Sequence, residues 1–440
     1  MPVLDENPVP MLRRLMTWLA PFKGCFGHRA QAVSLGHYVA GLLSDSPRKS
    51  MQAMLTRVTA PPDYQTLQHF ITHAPWSAAR MWRTLRAHLP ERRGVLLLDD
   101  TGFPKKGEHS VGVARQYTGS LGKIGNCQVA VTAALWTGVR AWLVGAALYL
   151  PESWTEDAAR CQRAHVPDTV RFKKKWELAL HLLQQVRAAG LAITAVLSDS
   201  GYGDATAVRT ALHRWKLPYG LGVSATLTVF LGRPQLQGPR AVHGPRQRRP
   251  RATLGDTPPP LTVKAVADAL LPTAWHRITW RHLDNPERAA SCAAVRVTPA
   301  HDWRHGHLLP EIWLLCERPE DRAGVTKYYF ISLPRQTALA ALVVFVHQRW
   351  PIEQQYQHLK TELGFDHFEG RTYPGWAHHV VVSAVAYAFL QRERMHRDTP
   401  LTFEAVRTIV QEIFVGLLFA SRPRYADWVR EAQQLLPLRL

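Results

Sequence analysis

The stretch GVLLLDDTG (residues 94–102) decides the fold of this chain. Its apolar run, VLLL, is short and uninterrupted, which is typical of a strand buried on both faces of a sheet. The run ends in Asp99 and Asp100. A second stretch, AITAVLSDSG (residues 192–201), repeats this pattern and ends in Asp199. Two apolar strands that each end in an acid predict a buried sheet with carboxylates at one edge.

The segments around these two strands complete an α/β pattern. Glycine-containing turns separate further strand-like segments, and amphipathic segments predict helices. The predicted strands are 111–118, 127–136, 139–150 and 217–223, and the predicted helices are 172–188 and 205–215. This order predicts a mixed sheet flanked by helices, in which the two acid-tipped strands are parallel neighbours.

Composition and periodicity divide the whole chain into five regions. The first is basic and helical, the middle is rich in strand signals and tryptophan, and the last third is helical. We predict an N-terminal helical, DNA-binding domain at 1–92, the two parts of a core at 93–223 and 334–393, a β-rich insertion at 224–333 with an Arg/Pro-rich loop at 231–260, and a C-terminal helical region at 394–440.

Charge gives the first indication of a partner. The 440 residues include 54 Lys and Arg against 34 Asp and Glu, a formal net charge of +20. Such a surplus attracts polyanions, because each neutralised phosphate releases condensed counterions. A genomic bias towards arginine codons is the alternative explanation. We expect nucleic acid to be the partner.

Other features exclude several classes of protein. The five cysteines are scattered without a close pair, which argues against a disulfide framework or a zinc finger. The longest apolar stretch, at about 380–390, is near half the length of a membrane span. The first residues contain two acids and lack the basic start and apolar run of a signal peptide. We therefore expect a cytoplasmic protein without membrane contact.

The acids at the strand ends are candidates for catalysis. If the two apolar strands are parallel neighbours, Asp100 and Asp199 face each other at one edge of the sheet. Two such carboxylates repel unless a cation lies between them, and their hard oxygen atoms suit Mg²⁺ or Mn²⁺. The alternative for each aspartate alone is a turn or helix cap.

A third acid lies in RWPIEQQYQHLK (residues 349–360). Pro351 favours the first position of a helix, which places Glu353 in the first turn. Lys360 follows two turns later on the same face, and Arg349 lies just before the helix. A carboxylate flanked by two cations could bind a metal beside a phosphate backbone. The alternative is an exposed acid with favourable neighbours.

Together these motifs resemble those of the DDE transposases of bacterial insertion sequences. The resemblance covers about residues 93–393 and includes DDTGFPKKG (99–107) and RQYTGSLGK (115–123). It is closest to the group whose RNase H-like core is interrupted by a β-strand insertion before the glutamate helix. The implied fold is therefore an RNase H-like mixed sheet flanked by helices.

The resemblance also implies roles for individual residues. The catalytic and metal-binding acids fall on Asp100, Asp199 and Glu353. Asp100 is preferred to its neighbour because family members place a hydroxyl residue directly after the catalytic aspartate. The phosphate contacts fall on Arg349 and Lys360. The family often has a tyrosine three residues before that arginine, where this chain has valine, so a tyrosine contact to phosphate is in doubt.

The activity implied by the resemblance is DNA transposition. Two Mg²⁺ ions, for which Mn²⁺ could substitute, support cleavage at the element's terminal inverted repeats and transfer of the 3′-hydroxyl into target DNA. Excision through a DNA hairpin is an option in this group, and a homodimer on DNA in the bacterial nucleoid is implied. The alternatives are a transposase-derived DNA-binding protein without catalysis, or another RNase H-like nuclease.

Further residues are candidates for DNA contact. Basic side chains near the first acid and in the Arg/Pro-rich loop could meet phosphate, or could be solvated loop charges. Tryptophans of the insertion could stack on a base turned out of the duplex, or could fill the core. The basic candidates are Lys105, Lys106, Lys123, Arg246, Arg248 and Arg249, and the stacking candidates are Trp275, Trp280, Trp303 and Trp313.

Overall fold

The structure is a computed structural model. It describes residues 8–119, 122–238, 252–281, 287–301, 303–322, 324, 326–396, 401–422, 424, 427–428 and 430–431. The middle of the predicted Arg/Pro-rich loop, residues 239–251 with Arg246, Arg248 and Arg249, lies outside the described residues. No helix in the described part of the chain is long and apolar enough to cross a membrane.

The N-terminal part is a cluster of helices. Side-chain caps start two of them: Asp63 accepts from the backbone N–H of Thr66, and Ser77 accepts from that of Arg80. The helices are α1 (Pro8–Leu19), α2 (Arg29–Leu43), α3 (Met51–Leu55), α4 (Tyr64–Thr72) and α5 (Ala78–His88), with a 3₁₀ turn at Ala20–Cys25.

The next part forms the core sheet and its flanking helices. Its elements are β1 (Arg93–Pro104), β2 (Ala114–Thr118), β3 (Lys123–Trp136), β4 (Ala141–Tyr149), α6 (Glu152–Thr155), α7 (Ala158–Arg163), α8 (Lys175–Ala188), β5 (Ala192–Ser198), α9 (Ser200–Gly203), α10 (Thr206–Arg214) and β6 (Tyr219–Val223). The core order is β4–β3–β1–β5–β6. The meander β1–β3–β4 is antiparallel, whereas β5 and β6 run parallel to β1. This mixed sheet confirms the predicted RNase H-like fold class.

Helix α8 begins three residues later than its apolar pattern predicts. The Glu177 carboxylate accepts from the backbone N–H of Lys174 at 2.7 Å and so caps the helix there. The periodicity of the sequence continues into residues 172–174, but the cap decides where the helix starts.

The predicted insertion continues the core sheet. Its elements are β7 (Thr228–Leu231), β8 (Leu236–Gln237), β9 (Thr253–Leu254), β10 (Leu261–Thr262), α11 (Val263–Asp268), β11 (His276–Trp280), β12 (Arg288–Pro299), β13 (Ile312–Pro319) and β14 (Lys327–Ile331). Strand β14 pairs antiparallel with β6 and joins β13, β12, β7 and β10 to the core. The five domain boundaries stay predictions.

Helices form the C-terminal part. They are α12 (Leu339–His347), α13 (Pro351–Gln357), α14 (Tyr373–Glu393) and α15 (Phe403–Ser421). A π-helical turn, His358–Glu362, follows α13, so the regular α-helix predicted to carry Lys360 two turns after Glu353 ends at Gln357. The wider turn changes the phase of the helix. Helix α14 is buried along almost its whole length against β4 and the N-terminal helices α2, α4 and α5.

Alternation along β1 separates the two faces of the sheet near its acidic end. Leu96 and Leu98 pack in the main core, which also includes leucines of α8. Leu97 instead packs against Ile352 and Tyr356 of α13. Successive side chains of a strand point to opposite faces. Asp99 therefore lies on the same side as Leu97, and Asp100 on the same side as Leu98.

Candidate active site

The carboxylates of β1 and β5 lie at one edge of the sheet. The parallel register pairs Leu98 with Ser198, so the acids that follow each strand are neighbours in space. Asp199 also caps the short helix α9, where its Oδ1 accepts from the backbone N–H of Gly201 at 3.0 Å. Asp199 can therefore cap this helix and lie beside Asp100 at the same time. The ends of the two strands lie next to each other, as predicted.

Asp99 lies on the side of α13. Its Oδ2 is 2.6 Å from Nη1 of Arg349, and Nη2 of the same guanidinium is 2.7 Å from Oε1 of Glu353. The strand residue opposite Asp99, Thr132, lies 2.5 Å from the hydroxyl of Tyr356 in α13. One arginine thus joins the first strand to the glutamate helix.

Asp100 lies on the side of α8. Its Oδ2 accepts from Nζ of Lys175 at 3.1 Å and from the hydroxyl of Tyr202 at 3.3 Å. Lys175 is the first residue of α8, and Tyr202 belongs to α9 directly after the second acid-tipped strand. Two elements therefore hold this carboxylate at the edge of the sheet.

The acids at this edge are crowded. The pKa of Asp99 is raised to about 7, mainly by burial, with Asp199 and Asp100 adding to the increase and Arg349 opposing it. Burial also raises the pKa of Asp199, again with a contribution from Asp100. Like charges in a partly dry site disfavour full ionisation unless a cation is added.

Arg349 is the main counter-charge at the site. Burial alone would lower its pKa, but the carboxylates of Asp99, Glu353 and Asp199 raise it above the ordinary value. The guanidinium therefore stays charged and offers its planar fork to two carboxylates at once.

The carboxylates fit a divalent cation in chemistry but not yet as a complete ligand set. Asp99, Asp100 and Asp199 supply crowded hard oxygen atoms, which suit Mg²⁺. Glu353 is half-exposed, at 53% of its side chain, and is bound to Arg349. Throughout the described ranges, no three His, Cys, Asp or Glu side chains lie close enough together to hold a metal ion. The structure thus brings the aspartates together and leaves Glu353 on the arginine.

A cavity of about 900 Å³ opens beside this edge. Asp199, Arg349 and Glu353 line its core side, and the insertion supplies much of the opposite wall, including Trp280 and Glu317. The cavity is large enough for part of a nucleotide chain, and the acids of the second strand and of α13 both face it.

The wall contributed by the insertion contains a fixed stack. The Glu317 side chain is 1% exposed and lies 2.8 Å from Nε2 of His347. The His347 ring stacks on Trp280, with centroids 3.9 Å apart and planes at 17°. This arrangement fixes the indole plane at the cavity.

The predicted phosphate-binding residues have different surroundings. Lys360 donates to the carbonyl of Gly102 at 2.9 Å, and burial lowers its pKa. Lys105 donates to the carbonyl of Phe368 at 2.6 Å, and burial lowers its pKa to about 8. Lys106 and Lys123 are exposed. In this state the arginine before α13 and both buried lysines serve contacts within the chain.

Only one of the four candidate tryptophans lines the cavity, and that is Trp280. Trp275 lies under the guanidinium of Arg318 at 3.7 Å from the ring centroid. Trp303 meets Phe230 edge-on, and Trp313 donates from Nε1 to the carbonyl of Pro334 at 3.0 Å. The last three are engaged in packing or hydrogen bonds away from the cavity lining.

Sequence reasoning missed four residues that shape the site. Lys175 and Tyr202 hold Asp100, and Glu317 and His347 hold Trp280. Lys175 is in a basic run at the start of a predicted helix, and Tyr202 is three residues after an acid, so position alone could have drawn attention to them. Glu317 is an acid inside a strand pattern, where burial requires a partner.

A family model matches much of the chain. Residues 21–287, more than half of the chain, match the model of the DDE superfamily endonucleases. This range includes both acid-tipped strands and most of the insertion.

Two further proteins are similar to this chain. A probable transposase for the insertion sequence element IS701 from Microchaete diplosiphon is 32% identical over 170 residues, 37% of this chain and 41% of that protein. The match thus spans about two fifths of the relative's length. A solved piggyBac transposase synaptic complex with hairpin DNA is similar with a TM-score of 0.43 at 9% identity, over 99% of this chain and 86% of that chain. On the family match, the chain belongs to the DDE superfamily endonucleases.

Proposed function

We propose that this chain is the DNA transposase of a bacterial insertion sequence. It would cut DNA at the ends of the element in a metal-dependent reaction and join the freed 3′-hydroxyl to target DNA. Family membership and the name of the IS701 relative support this assignment. The observation that carries it is the crowding of partly buried aspartates at the ends of β1 and β5, at one edge of the sheet.

The residues proposed to hold the metal are Asp100, Asp199 and Glu353. Two bound Mg²⁺ ions, or Mn²⁺ in their place, would activate the attacking hydroxyl or water and stabilise the leaving oxygen. Glu353 supports this role by lining the same cavity as Asp199. It would have to exchange the guanidinium of Arg349 for the metal.

Other residues of the chain position these acids. Lys175 and Tyr202 orient Asp100 through their contacts with its Oδ2. Arg349 neutralises the acids while no cation is bound, and once Glu353 leaves it, one arm of its fork is available for a phosphate oxygen. Lys360 would contact phosphate only after giving up the carbonyl of Gly102.

The proposed substrate is double-stranded DNA in two forms, the element's terminal inverted repeats and the target. The net charge of +20 supports binding to both. Cutting at two ends in one event favours a homodimer on DNA. Of the four candidate tryptophans only Trp280 lines the cavity, and because its indole is buried against His347 it would have to open to the cavity to stack on an unpaired base, which a hairpin step would require.

Plasmid cleavage tests the proposal. A supercoiled plasmid that carries the DNA flanking this coding region on both sides should be nicked in MgCl₂ and not in EDTA. Glu353→Gln should abolish the nicking while the variant unfolds at the wild-type temperature. Equal nicking by the variant would remove Glu353 from the metal site. Specific DNA binding without nicking in any divalent metal would favour a non-catalytic DNA-binding protein instead.

A second readout does not depend on cleavage. Mg²⁺ or Mn²⁺ should raise the thermal unfolding temperature of the wild type, because a ligand that binds only the folded state stabilises it. A double variant, Asp100→Asn with Asp199→Asn, should lose this increase. An unchanged increase would place metal binding elsewhere.

A further inference from the structure

The motif RQYTGSLGK, residues 115–123, takes no part in the site described above. Its described residues lie in the hairpin of β2 and β3, which begins beyond the acidic end of β1. We propose that this β2–β3 hairpin is a DNA-binding arm, which contacts duplex DNA on the side of the catalytic edge. The inference rests on the proposed function, because that function places DNA at the catalytic edge. The contact surface itself is additional to what the proposed function requires.

The hairpin exposes an apolar pair. Tyr117 of β2 lies directly opposite Ile124 of β3, so both side chains point to the same face. They are 62% and 61% exposed, among the most exposed large apolar side chains of the described chain. Two adjacent apolar groups on a narrow hairpin indicate a contact surface rather than part of the core.

Basic residues flank this pair. Arg115, two residues before Tyr117, lies on the same face, whereas Lys123, next to Ile124 at the start of β3, lies on the other face of the narrow hairpin. Both are exposed, as is Lys106 in the loop after β1. Between residues 105 and 126 the chain has four Lys and Arg residues and one acid, Glu108. The hairpin therefore suits a partner that carries both negative charges and apolar groups. DNA is such a partner, because its sugars and bases lie between its phosphates.

Hydrogen bonds make the hairpin a fixed arm. Gln116 donates from Nε2 to the carbonyl of Cys127 at 2.9 Å. Asn126 donates from Nδ2 to the carbonyls of Lys105 and Gly107 at 2.8 and 3.0 Å. The base of the hairpin is thus tied to the loop that follows the catalytic strand, and binding would order few additional groups.

The position of the arm suits a duplex at the catalytic edge. Asp100 pairs with Val131 in β3, seven residues from Ile124. At a rise of about 3.3 Å per residue, the apolar pair lies about 23 Å along the strand from the acid. Duplex DNA rises 3.4 Å per base pair, so the arm would meet it roughly seven base pairs from the cut phosphate.

A second copy of this chain is the other occupant to consider for an exposed apolar pair beside an edge strand. Each copy carries +20, and Arg115 and Lys123 on the arm would face the same charge on a partner. Like charges disfavour that contact, whereas DNA supplies the opposite charge. DNA is therefore the occupant that the charges favour.

Binding to DNA in the absence of metal tests the arm. The probe is a fluorescein-labelled mixed-sequence duplex of about 40 base pairs, titrated with the full chain in EDTA at several KCl concentrations. The two arm variants are Tyr117→Ser with Ile124→Ser, and Arg115→Ala with Lys123→Ala. The matched controls, Val139→Ser and Arg335→Ala, change exposed residues at the opposite edge of the sheet.

The two arm variants should have different signatures. Loss of the apolar pair should weaken binding about tenfold, in the range measured for stacking contacts. Loss of the basic pair should make the slope of log K against log[salt] shallower by about two, one for each phosphate contact. Both controls should bind within about twofold of the wild type, and unchanged thermal unfolding of all four confirms their folding.

Two results would overturn the proposal. One is that both arm variants bind like their controls. The other is unchanged DNA binding together with a change from dimer to monomer in sedimentation velocity, which would assign the surface to a second copy. If the wild type fails to nick the plasmid above, only the transposase assignment fails, because the binding measured in EDTA does not depend on catalysis.

Discussion

The two faces of β1 end in adjacent carboxylates with different surroundings. Asp99 faces α13 and binds Arg349, whose other arm binds Glu353. Asp100 faces α8 and is held by Lys175 and by a tyrosine hydroxyl. A single step along the strand thus separates an acid locked into a forked ion pair from an acid with looser partners.

The difference indicates which carboxylate can change partners. The Asp99 side chain is 13% exposed and that of Asp100 is 24% exposed. A guanidinium fork fixes direction as well as charge, whereas an ammonium is a rotatable point charge. Asp100 can therefore exchange its lysine for a metal at small cost, and Asp99 is better suited to positioning Arg349. This supports the assignment of Asp100 as the catalytic acid.

The largest expected difference between the two acids is in cleavage rate. Asp100→Asn should slow plasmid nicking about 10³-fold or more, because metal charge stabilisation is worth several kcal/mol in the transition state. Asp99→Asn should slow it only about tenfold, because it acts through Arg349. Initial nicking rates in MgCl₂ measure both, with Asp63→Asn as a surface control. An Asp99 variant as impaired as the Asp100 variant would reverse the assignment.

A smaller difference is expected in stability. Asp99→Ala leaves Arg349 with one carboxylate fewer and should lower the free energy of unfolding by about 2 kcal/mol. This is less than the cost of breaking a fully buried pair, because the arginine side chain is 26% exposed. Lys175→Ala removes a more exposed cation from Asp100 and should cost about 1 kcal/mol or less. Urea unfolding in EDTA compares the two. Equal losses of stability would mean that the forked guanidinium of Arg349 stabilises Asp99 no more than the ammonium of Lys175 stabilises Asp100.

Much of the fold and part of the site could be predicted from the sequence. The apolar runs before Asp100 and Asp199 are largely buried on both faces. The local sequence pattern alone therefore predicts that they are strands. The strand order then places the acids at one edge. The placement of Glu353 near this edge could be predicted only from the family resemblance, because its helix lies far along the chain from the two strands.

The partners of each acid could not be predicted in the same way. Residues that contact Asp100 come from α8 and α9, and the capping of α8 by Glu177 sets which lysine reaches it. The π-helical turn after α13 changes the direction of Lys360 relative to Glu353, and no local propensity signals it. Such contacts depend on packing between distant elements, which periodicity does not encode.

The remaining expected effect concerns pH. Burial and the neighbouring acids raise the pKa of Asp99 in the folded chain to about 7, against 3.8 when unfolded. Between these values the folded state binds more protons, so the contribution of this group is present below pH 3.8 and is lost as pH rises towards 7. The slope is at most about 1.4 kcal/mol per pH unit for one proton.

Urea unfolding between pH 4 and 8 can isolate this contribution. The free energy of unfolding of the wild type, minus that of Asp99→Asn, should fall as pH rises through this range. Asp63 is the matched control, because hydrogen bonds from Thr66 lower its pKa and it titrates below the window. Its asparagine variant should give a flat difference. A flat difference for Asp99 would mean that Arg349 offsets the effect of burial on this carboxylate.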